Sequence, residues 1–312
     1  MCEAKNEKGI MNKIHGVEFD KDDFVEYAEK CPICGSTERF VTTKLKNTSI
    51  RFLHCNNCHA VSTSHYPTDF ALDKLYSTYY STHRNFSKGV THDNITMFAE
   101  HICSYLSFAS PSIRLLDYGG GSGEISYQVA LNLLKKKGVK TVEITIVDVN
   151  NEQTIASSNE GISVHKTTPE MFFRNDESQK FDFVIASAVL EHVFFAEDLI
   201  TKLFNNINDK GFIYIRAPYL IPLYKFMLKF GINMDIYFPA HVHDFSKRFF
   251  ENLPSTLKLH NLEIVVSQPS YYESSFRVHF FRALVSRLIR LPYYLNKCYP
   301  FVGGWEIVYK RI

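Results

Sequence analysis

The sequence predicts an α/β protein in which a small N-terminal zinc ribbon precedes a Rossmann-like, seven-stranded, doubly wound sheet. From about residue 96, continuous apolar runs of strand length alternate with helix-like segments. This alternation is typical of a parallel sheet covered by helices on both faces. Before that point, two C-x-x-C pairs lie among short alternating runs, as expected for hairpins that hold a metal ion.

Four segments follow from these patterns, and the α/β domain is expected to contain both strands and helices at regular spacing. The segments are a tail or short packing helix (1–28), the zinc ribbon (29–66), a Tyr-rich connector (67–95) and the α/β domain (96–312). The expected strands are Ile113–Asp117, Val142–Asp148, Ile162–His165, Phe181–Ser187, Phe212–Ala217, Leu262–Ser267 and Trp305–Tyr309. The expected helices are Ile95–Leu106, Glu124–Lys137, Ala196–Asn208 and Lys247–Leu253.

The composition places limits on the class of protein. Hydrophobic residues make up 45% and charged residues 22% of the 312 positions, which is ordinary for a soluble globular protein. The formal net charge of +2 disfavours nucleic acid as the main partner, because proteins that grip long nucleic acids usually have a strong basic excess. The polar N-terminus and the absence of an apolar run of about 18 residues predict no signal peptide, no transmembrane helix and a cytoplasmic location.

The two cysteine pairs predict a structural zinc site. Cys31 and Cys34 form one C-x-x-C pair, Cys55 and Cys58 form the other, and 20 residues separate the pairs. In a reducing compartment such pairs are metal ligands or redox sites more often than disulfides. Four thiolates complete a tetrahedral zinc site and leave no open position for catalysis. Redox chemistry is the alternative.

A glycine-rich loop follows the first strand of the α/β domain. Its sequence from Asp117 fits D-x-G-x-G-x-G, with Gly119, Gly121 and Gly123 at the glycine positions. The loop lies at the first strand-to-helix turn, where doubly wound folds bind their ligands. Glycines there allow unusual backbone angles and close approach of a ligand. The loop alone indicates only a nucleotide-like ligand.

The residues around the loop discriminate between two such ligands. A nicotinamide site needs G-x-G-x-x-G, but Glu124 and Ser126 occupy the positions where the last glycine would lie. Glu124 would also place negative charge beside a phosphate. A ligand with a cationic sulfonium and no phosphate suits the acidic strand end at Asp117. Asp148 ends the second strand, 25 residues after Gly123, where a carboxylate can accept hydrogen bonds from ribose hydroxyls.

These motifs together resemble class I S-adenosylmethionine-dependent methyltransferases. The resemblance covers residues 96–312 and rests on five segments in order: Asp117–Gly123, Ile144–Asp148, Phe181–His192, Lys210–Ala217 and His241–Leu253. It implies that Asp117 organises the methionine end of the cofactor and that Asp148 holds its ribose. It also places Thr168 and Ser187 in the cofactor site. The segment Thr167–Glu170 departs from the acidic pattern usual in the family, which puts the adenine contacts in doubt.

The acceptor side is expected to contain four candidate catalytic residues. Glu191 and His192 follow the fourth strand, and a histidine with a near-neutral pKa can accept a proton from a hydroxyl during methyl transfer. In the family, this histidine is the base in some members and shapes the site in others. His241 and His243 form a second cluster, which related enzymes place at the mouth of the acceptor pocket. They could equally be ordinary loop residues beside the helix cap Ser246.

Two further segments are rich in apolar residues. Pro218–Pro239 predicts either a hydrophobic lid over the acceptor or an inserted core helix. Phe276–Leu291 is amphipathic, with four arginines beside Phe and Leu. It predicts contact with a membrane surface or an anionic substrate, or else a solvated helix face.

The expected function is therefore methylation of a small molecule or of a sugar or glycan precursor, with oxygen favoured over carbon as the acceptor atom. A zinc ribbon before a methyltransferase domain resembles sugar C-methyltransferases, although Val189 stands where those enzymes tend to have Tyr. It also resembles ribosomal RNA guanine methyltransferases. An RNA methyltransferase, and a non-catalytic interaction protein that binds the cofactor, are the alternatives.

Overall fold

The structure, a computed structural model, describes residues 11–14, 16–46, 48–82, 94–136, 138–149, 159–175, 179–271 and 280–312. Parts of several expected segments lie outside these ranges: residues 1–10 and 15 of the tail, residue 47 of the ribbon, residues 83–93 of the connector, Lys137 at a helix end, and residues 276–279 of the amphipathic segment. No helix in the described ranges is long and apolar enough to cross a membrane.

The described elements alternate along the chain as the sequence predicts. The N-terminal strands are β1 (Met11–Ile14), β2 (Val17–Phe19), β3 (Phe24–Glu26), β4 (Arg39–Lys44), β5 (Arg51–Cys55), β6 (Val61–Thr63) and β7 (His65–Pro67). The elements that follow are α1 (Asp69–Thr82), α2 (Ile95–Ser104), β8 (Ser112–Tyr118), α3 (Glu124–Lys136), β9 (Thr141–Val147), β10 (Ile162–Thr167), α4 (Pro169–Asn175), β11 (Phe181–Ser187), α5 (Ala196–Asn205), β12 (Ile207–Tyr219), α6 (Ile221–Leu228), β13 (His243–Asp244), α7 (Lys247–Thr256), β14 (Leu262–Pro269), α8 (Phe280–Leu295) and β15 (Gly303–Arg311). Short 3-10 helices cover Lys21–Asp23 and Leu190–His192.

The central sheet has seven strands in the order β10-β9-β8-β11-β12-β15-β14, which confirms the predicted Rossmann-like α/β fold. The first five strands are parallel, and β15 runs antiparallel to both of its neighbours. Because β8 has β9 on one side and β11 on the other, the chain reverses its direction of winding there. Ligands of open α/β sheets bind at the carboxyl ends of the strands at such a switch point.

Apolar side chains on the two faces of the sheet explain why helices cover both. On one face, buried residues of α2 and α3, including Phe98, Ile102 and Leu133, pack on the strands. On the other face, α5 and α7 contribute buried residues such as Leu203 and Phe249. The five inner strands are buried along most of both sides, as their continuous apolar runs predict, whereas the edge strands β10 and β14 are partly exposed.

The largest difference from the predicted elements concerns α5 and β12. The helix ends at Asn205, three residues before its predicted end at Asn208. The strand begins at Ile207, five residues before its predicted start at Phe212. Ile207 already pairs with Phe181, and the register then shifts before Phe212 pairs with Phe183. This irregularity lies in a polar stretch that contains Lys210 in the left-handed region, with φ of 62°. A polar sequence of this kind gives no apolar signal for a strand.

Residues 11–26 form three short strands, although a tail or packing helix was expected there. Phe19 and Phe24 are buried, and the Phe24 ring stacks on Phe238 with 5.4 Å between centroids. Ala71 and Leu75 of α1 belong to the same cluster. Two apolar rings separated by polar residues therefore anchor this segment through contacts that are distant in sequence.

The cysteine-bearing segment is joined to the α/β domain by a shared sheet. The two-residue strand β13 pairs antiparallel with β6 and extends the ribbon sheet to the order β13-β6-β5-β4. His243 of β13 hydrogen-bonds to Ser62 Oγ at 2.9 Å, and its other ring nitrogen donates to the carbonyls of Val193 and Phe194 at 3.0 and 2.9 Å. The ribbon is therefore fixed against the loop that follows β11.

A second buried polar residue ties α2 to β15 of the central sheet. Glu306 of β15 is fully buried, and its Oε1 lies 2.7 Å from His101 Nε2. Its Oε2 accepts hydrogen bonds from the Tyr214 hydroxyl and the Tyr271 amide, both at 2.9 Å. Burial raises the pKa of Glu306, but the hydrogen bond and charge of His101 bring it below its usual range.

We predict that Glu306→Ala lowers the free energy of unfolding by about 3–5 kcal/mol, because it leaves several buried groups without a partner. Urea denaturation measures this loss. Glu143→Ala is the matched control, since Glu143 is 56% exposed in its ion pair with Arg114 and should contribute at most about 1 kcal/mol. Equal losses in the two variants would contradict the assigned role of Glu306.

Candidate functional site

The four cysteines of the ribbon converge on one point. Cys31 Sγ lies 3.6 Å from Cys58 Sγ, and Cys34 Sγ lies 3.6 Å from Cys55 Sγ. All four sulfur atoms are within 4.8 Å of one another. A tetrahedral zinc site with Zn–S bonds of about 2.3 Å requires sulfur atoms about 3.8 Å apart. The donor set and its spacing therefore fit a structural zinc ion.

The backbone of the two cysteine turns supports this arrangement. Gly35 adopts φ of 70° and its amide donates to the Cys31 carbonyl at 2.9 Å. The His59 amide makes the equivalent bond to Cys55, also at 2.9 Å.

The glycine loop is shaped by close contacts that only glycine allows. Gly119 and Gly123 have φ of 72° and 85°. A Cβ added at Gly123 would lie 2.1 Å from Ile146 Cδ1, and one added at Gly119 would lie 2.3 Å from Val189 Cγ2. Gly121, with φ of 56°, also lies in the left-handed region. The loop therefore turns sharply at the carboxyl ends of β8 and β9.

Asp117 ends β8 beneath this loop and is only 3% exposed. Its Oδ2 has no hydrogen-bond partner among the described residues. Burial raises the pKa of this carboxyl to about 6. A buried carboxylate oxygen without a partner is costly, so the site is suited to a ligand that brings a cationic group.

Asp148 follows β9 and is held beside the loop. Its Oδ2 accepts a hydrogen bond from the Gly121 amide at 2.8 Å, and its own amide donates to the Thr167 carbonyl at 3.1 Å. This places the carboxylate at the same sheet edge as Asp117, where it can accept hydrogen bonds from a ribose. The structure thus brings together the two acids that the sequence singles out.

The two remaining predicted cofactor residues lie at the ends of neighbouring strands. Thr168 follows β10, where its carbonyl accepts from the Phe172 amide at 2.9 Å and so begins α4. Ser187 ends β11, and its Oγ is buried with no hydrogen-bond partner in the described part of the chain. The site fits S-adenosylmethionine. It combines the glycine turn with two buried atoms that have no hydrogen-bond partner among the described residues, Asp117 Oδ2 and Ser187 Oγ.

Three of the four predicted catalytic residues meet beyond the end of β11. Ring nitrogens of His192 and His241 and a carboxylate oxygen of Glu191 lie within 4.8 Å of one another. The two imidazole rings are nearly perpendicular, with 4.7 Å between centroids. Glu191 is 1% exposed, and burial raises its pKa to about 8. Glu191 is therefore mostly neutral at pH 7.

His192 has one ring nitrogen fixed and one available. Its Nδ1 lies 2.9 Å from the Ala240 carbonyl, an acceptor to which Nδ1 must donate. Neutral imidazole then carries its lone pair on Nε2. Burial lowers the pKa of His192 below its usual value, so the ring is neutral around pH 7 and can accept a proton.

His243 is placed differently from the other three. It is buried, and both of its ring nitrogens are hydrogen-bonded to Ser62 and to the carbonyls after His192. Burial lowers its pKa to about 4. We therefore assign His243 to the contact between the ribbon and the α/β domain, and leave it out of the catalytic residues proposed below.

A cavity of about 480 Å³ adjoins His192. One wall is formed by residues 192–195 and Val242, and the other by Tyr66, Asp69 and Leu72. The rings of Tyr66 and Phe194 are 4.7 Å apart. No motif in the sequence predicts this second wall.

Comparison with known families decides what class of domain carries this site. A family described as Methyltransferase domain matches residues 93–256, which is more than half of the chain. The chain belongs to this methyltransferase family. The predicted class I fold and its S-adenosylmethionine cofactor are thereby confirmed.

Solved structures of low sequence identity are similar to this methyltransferase. The [4+2]-cyclase SpnF is 12% identical, with 79% of this chain and 97% of that chain covered and a TM-score of 0.46. The plantazolicin methyltransferase BpumL in complex with SAH is 17% identical, with 78% and 92% covered and a TM-score of 0.46. A SAM-dependent methyltransferase from Archaeoglobus fulgidus is 17% identical, with 76% and 99% covered and a TM-score of 0.42. No curated protein sequence matches the chain significantly.

We predict that the purified methyltransferase contains about one zinc ion per chain and that Cys58→Ser loses it, since three thiolates hold structural zinc far less well. Mass spectrometry of the metal content measures both. Cys298→Ser is the control, because that cysteine is exposed and lies outside the sulfur cluster. Full zinc occupancy in Cys58→Ser would show that the cluster does not hold the metal.

We predict that Asp148→Ala weakens binding of S-adenosylmethionine by about 10–100-fold, the loss expected for hydrogen bonds to a charged group. Titration calorimetry with the cofactor and with S-adenosylhomocysteine measures the affinities. Glu143→Ala on β9 keeps the same strand and removes an exposed carboxylate, so its affinity should be unchanged. If Asp148→Ala binds as the wild type does, Asp148 does not hold the ribose.

Proposed function

We propose that this methyltransferase transfers the methyl group of S-adenosylmethionine to an oxygen atom of a small hydroxylated molecule, or of a sugar or glycan precursor. His192 is the proposed proton acceptor. The observation that carries this proposal is the bond from His192 Nδ1 to the Ala240 carbonyl, 2.9 Å long, in a residue that lines the cavity of about 480 Å³. A fixed tautomer beside a cavity is what general-base catalysis requires.

The residues of the cofactor site have separate proposed roles. Asp117 faces the cationic end of the cofactor with its buried Oδ2, and Asp148 accepts hydrogen bonds from the ribose. Ser187 Oγ offers a further polar contact at the end of β11. When bound, S-adenosylmethionine supplies an electrophilic methyl group on its sulfonium. Holding acceptor and methyl group in line contributes much of the rate acceleration in such a transfer.

On the acceptor side, the proposed base is His192, and its neighbours are His241 and Glu191. The acceptor hydroxyl gives its proton to His192 Nε2 as its oxygen takes the methyl group. His241 packs edge-on against His192 and limits the movement of that ring. Glu191 lies beside the two rings, and burial raises its pKa to about 8, which favours the neutral form of this carboxyl around pH 7.

The size and lining of the cavity favour a small acceptor. Pockets of roughly 300–1,000 Å³ are typical for small-molecule ligands. Tyr66, Phe194 and Phe195 provide aromatic faces, and Asp69 provides a carboxylate that can accept hydrogen bonds. Aromatic faces bind the apolar side of a sugar or of an aromatic ring.

The proposal is tested by measuring S-adenosylhomocysteine release with a panel of acceptors. The panel contains monosaccharides, nucleotide sugars, phenols and structured RNA. Turnover with a hydroxylated small molecule, and an O-methyl product identified by mass spectrometry, are expected. Transfer only to RNA, or to carbon or nitrogen, would overturn the assigned acceptor. If calorimetry detects no binding of the cofactor, the proposed reaction itself is wrong.

We predict that His192→Gln lowers kcat for the identified acceptor by about 10²–10⁴-fold, the usual contribution of a general base, and leaves the affinity for S-adenosylmethionine within about threefold. In the wild type, kcat should fall as pH decreases through a value below 6.5, since burial lowers the pKa of His192 and its protonated form cannot accept a proton. This acid limb should be absent from His192→Gln.

The control is His165→Gln, which replaces an exposed histidine on β10. It should keep the wild-type kcat and pH profile. A structural role for His192 would change the stability of the fold but would leave the acid limb in place. That outcome would contradict the assignment of the base.

A further inference from the structure

Helix α8 carries a stripe of apolar side chains along its exposed face. The spacing of three or four residues places these side chains on one side of a helix. They are Phe280, Leu284, Leu288, Leu291 and Leu295. Leu295 is 87% exposed and Leu288 is 56% exposed. Such a row of exposed leucines is unusual unless something covers it.

The opposite side of α8 is the one attached to the protein. Tyr293 is buried and packs edge-on against Trp305, with 5.6 Å between ring centroids. Arg290 Nε donates to the Val302 carbonyl at 3.1 Å, and another guanidinium nitrogen donates to the Ser270 carbonyl. The helix therefore directs an arginine inward and leucines outward, the reverse of an ordinary surface helix.

Helix α6 extends this surface. Phe226 is 43% and Phe230 is 66% exposed, and their ring centroids are 5.1 Å apart. Phe226 also lies 5.2 Å from Phe301, in the segment after α8. We give the name apolar surface to the exposed side chains of Phe226 and Phe230, at and just after the end of α6, together with the α8 side chains Phe280, Leu288, Leu291 and Leu295.

The described segments that form the apolar surface carry basic residues and no acidic ones. Residues 280–305 contain no Asp or Glu, and Arg287 and Lys297 are exposed there. Residues 220–234 likewise have Lys225 and Lys229 and no acid. Lys225, Lys229 and Lys297 are exposed in the structure. This combination of leucines and cations is typical of helices that lie on anionic lipid surfaces.

We infer that the apolar surface binds an anionic membrane, with the leucine stripe of α8 inserted at the boundary between headgroups and acyl chains. Lys225 and Lys229 at the end of α6 and Lys297 just after α8 then face lipid phosphates. At 16 residues, α8 is about 24 Å long, which suits a helix lying in the interface. A second copy is a poorer occupant, because a self-complementary contact would bring the same cations together with no acids between them.

This surface is distinct from the methyl-transfer site but begins close to it. Helix α6 starts at Ile221, two residues after β12 ends at the carboxyl edge of the sheet. The Asp244 carboxylate accepts from the amides of Leu220 and Ile221 and so fixes the start of α6. Membrane binding would therefore hold the acceptor side of the enzyme near the lipid surface.

The experiment is flotation of the full-length chain with vesicles of phosphatidylcholine containing about 40% phosphatidylglycerol, compared with pure phosphatidylcholine. Binding is expected to the anionic vesicles, to weaken as salt increases, and to be at least about tenfold weaker on the neutral ones. The triple variant Leu288→Ser, Leu291→Ser and Leu295→Ser should bind at least about 30-fold more weakly, because it removes the inserted apolar area. Lys225→Gln with Lys229→Gln should lose about tenfold and show less dependence on salt.

The control variant replaces exposed apolar residues elsewhere, Val41→Thr on β4 and Phe70→Ser on α1, which are 45% and 69% exposed. It should bind vesicles as the wild type does. Thermal unfolding and cofactor affinity should be unchanged in every variant, which shows that each is folded and separates this test from that of methyl transfer. Absence of vesicle binding, or binding that the leucine substitutions leave unchanged, would overturn the inference. So would a wild-type dimer in ultracentrifugation that the same substitutions dissociate.

Discussion

The pairing of β13 with β6 determines how the two parts of this methyltransferase act together. Only two residues form β13, but His243 within it bonds to the ribbon through Ser62 and to the loop after β11 through two carbonyls. That loop contains His192, whose orientation depends on the Ala240 carbonyl just before β13. The ribbon sheet, which carries the cysteine cluster, and the proposed base are therefore parts of one hydrogen-bonded arrangement, although no cysteine of the described ranges lines the cavity beside His192.

The local sequence predicts those features whose causes are local. Continuous apolar runs fix the seven strands, and positive φ angles at Gly119 and Gly123 explain why the loop needs glycine. The two C-x-x-C pairs predict their own convergence. Contacts between distant residues were not predictable in this way. Ser62 and His243 are 181 positions apart. Nothing in the residues around His243 indicates whether both ring nitrogens are hydrogen-bonded within the fold or one is available to act as a catalytic base.

The candidate site is built at a cost to the stability of the fold without a ligand. Asp117 Oδ2, Ser187 Oγ and Glu191 Oε2 are all buried without a hydrogen-bond partner within the described ranges. Each such atom destabilises the folded chain by roughly 1–3 kcal/mol. Burial also raises the pKa of Asp117 and of Glu191, because removing a carboxylate from water disfavours its charged form. Groups of this kind are retained where a bound molecule offsets the penalty.

The bond between His243 and Ser62 also has a consequence for how this protein diverges. Neither residue can be replaced by an apolar one without leaving a buried polar atom of the other unsatisfied, so the two positions are expected to change together in related chains. A lineage that lost the ribbon would be released from the need for histidine at position 243. Covariation of these positions would therefore record, in the sequences themselves, whether ribbon and catalytic domain were inherited as one unit.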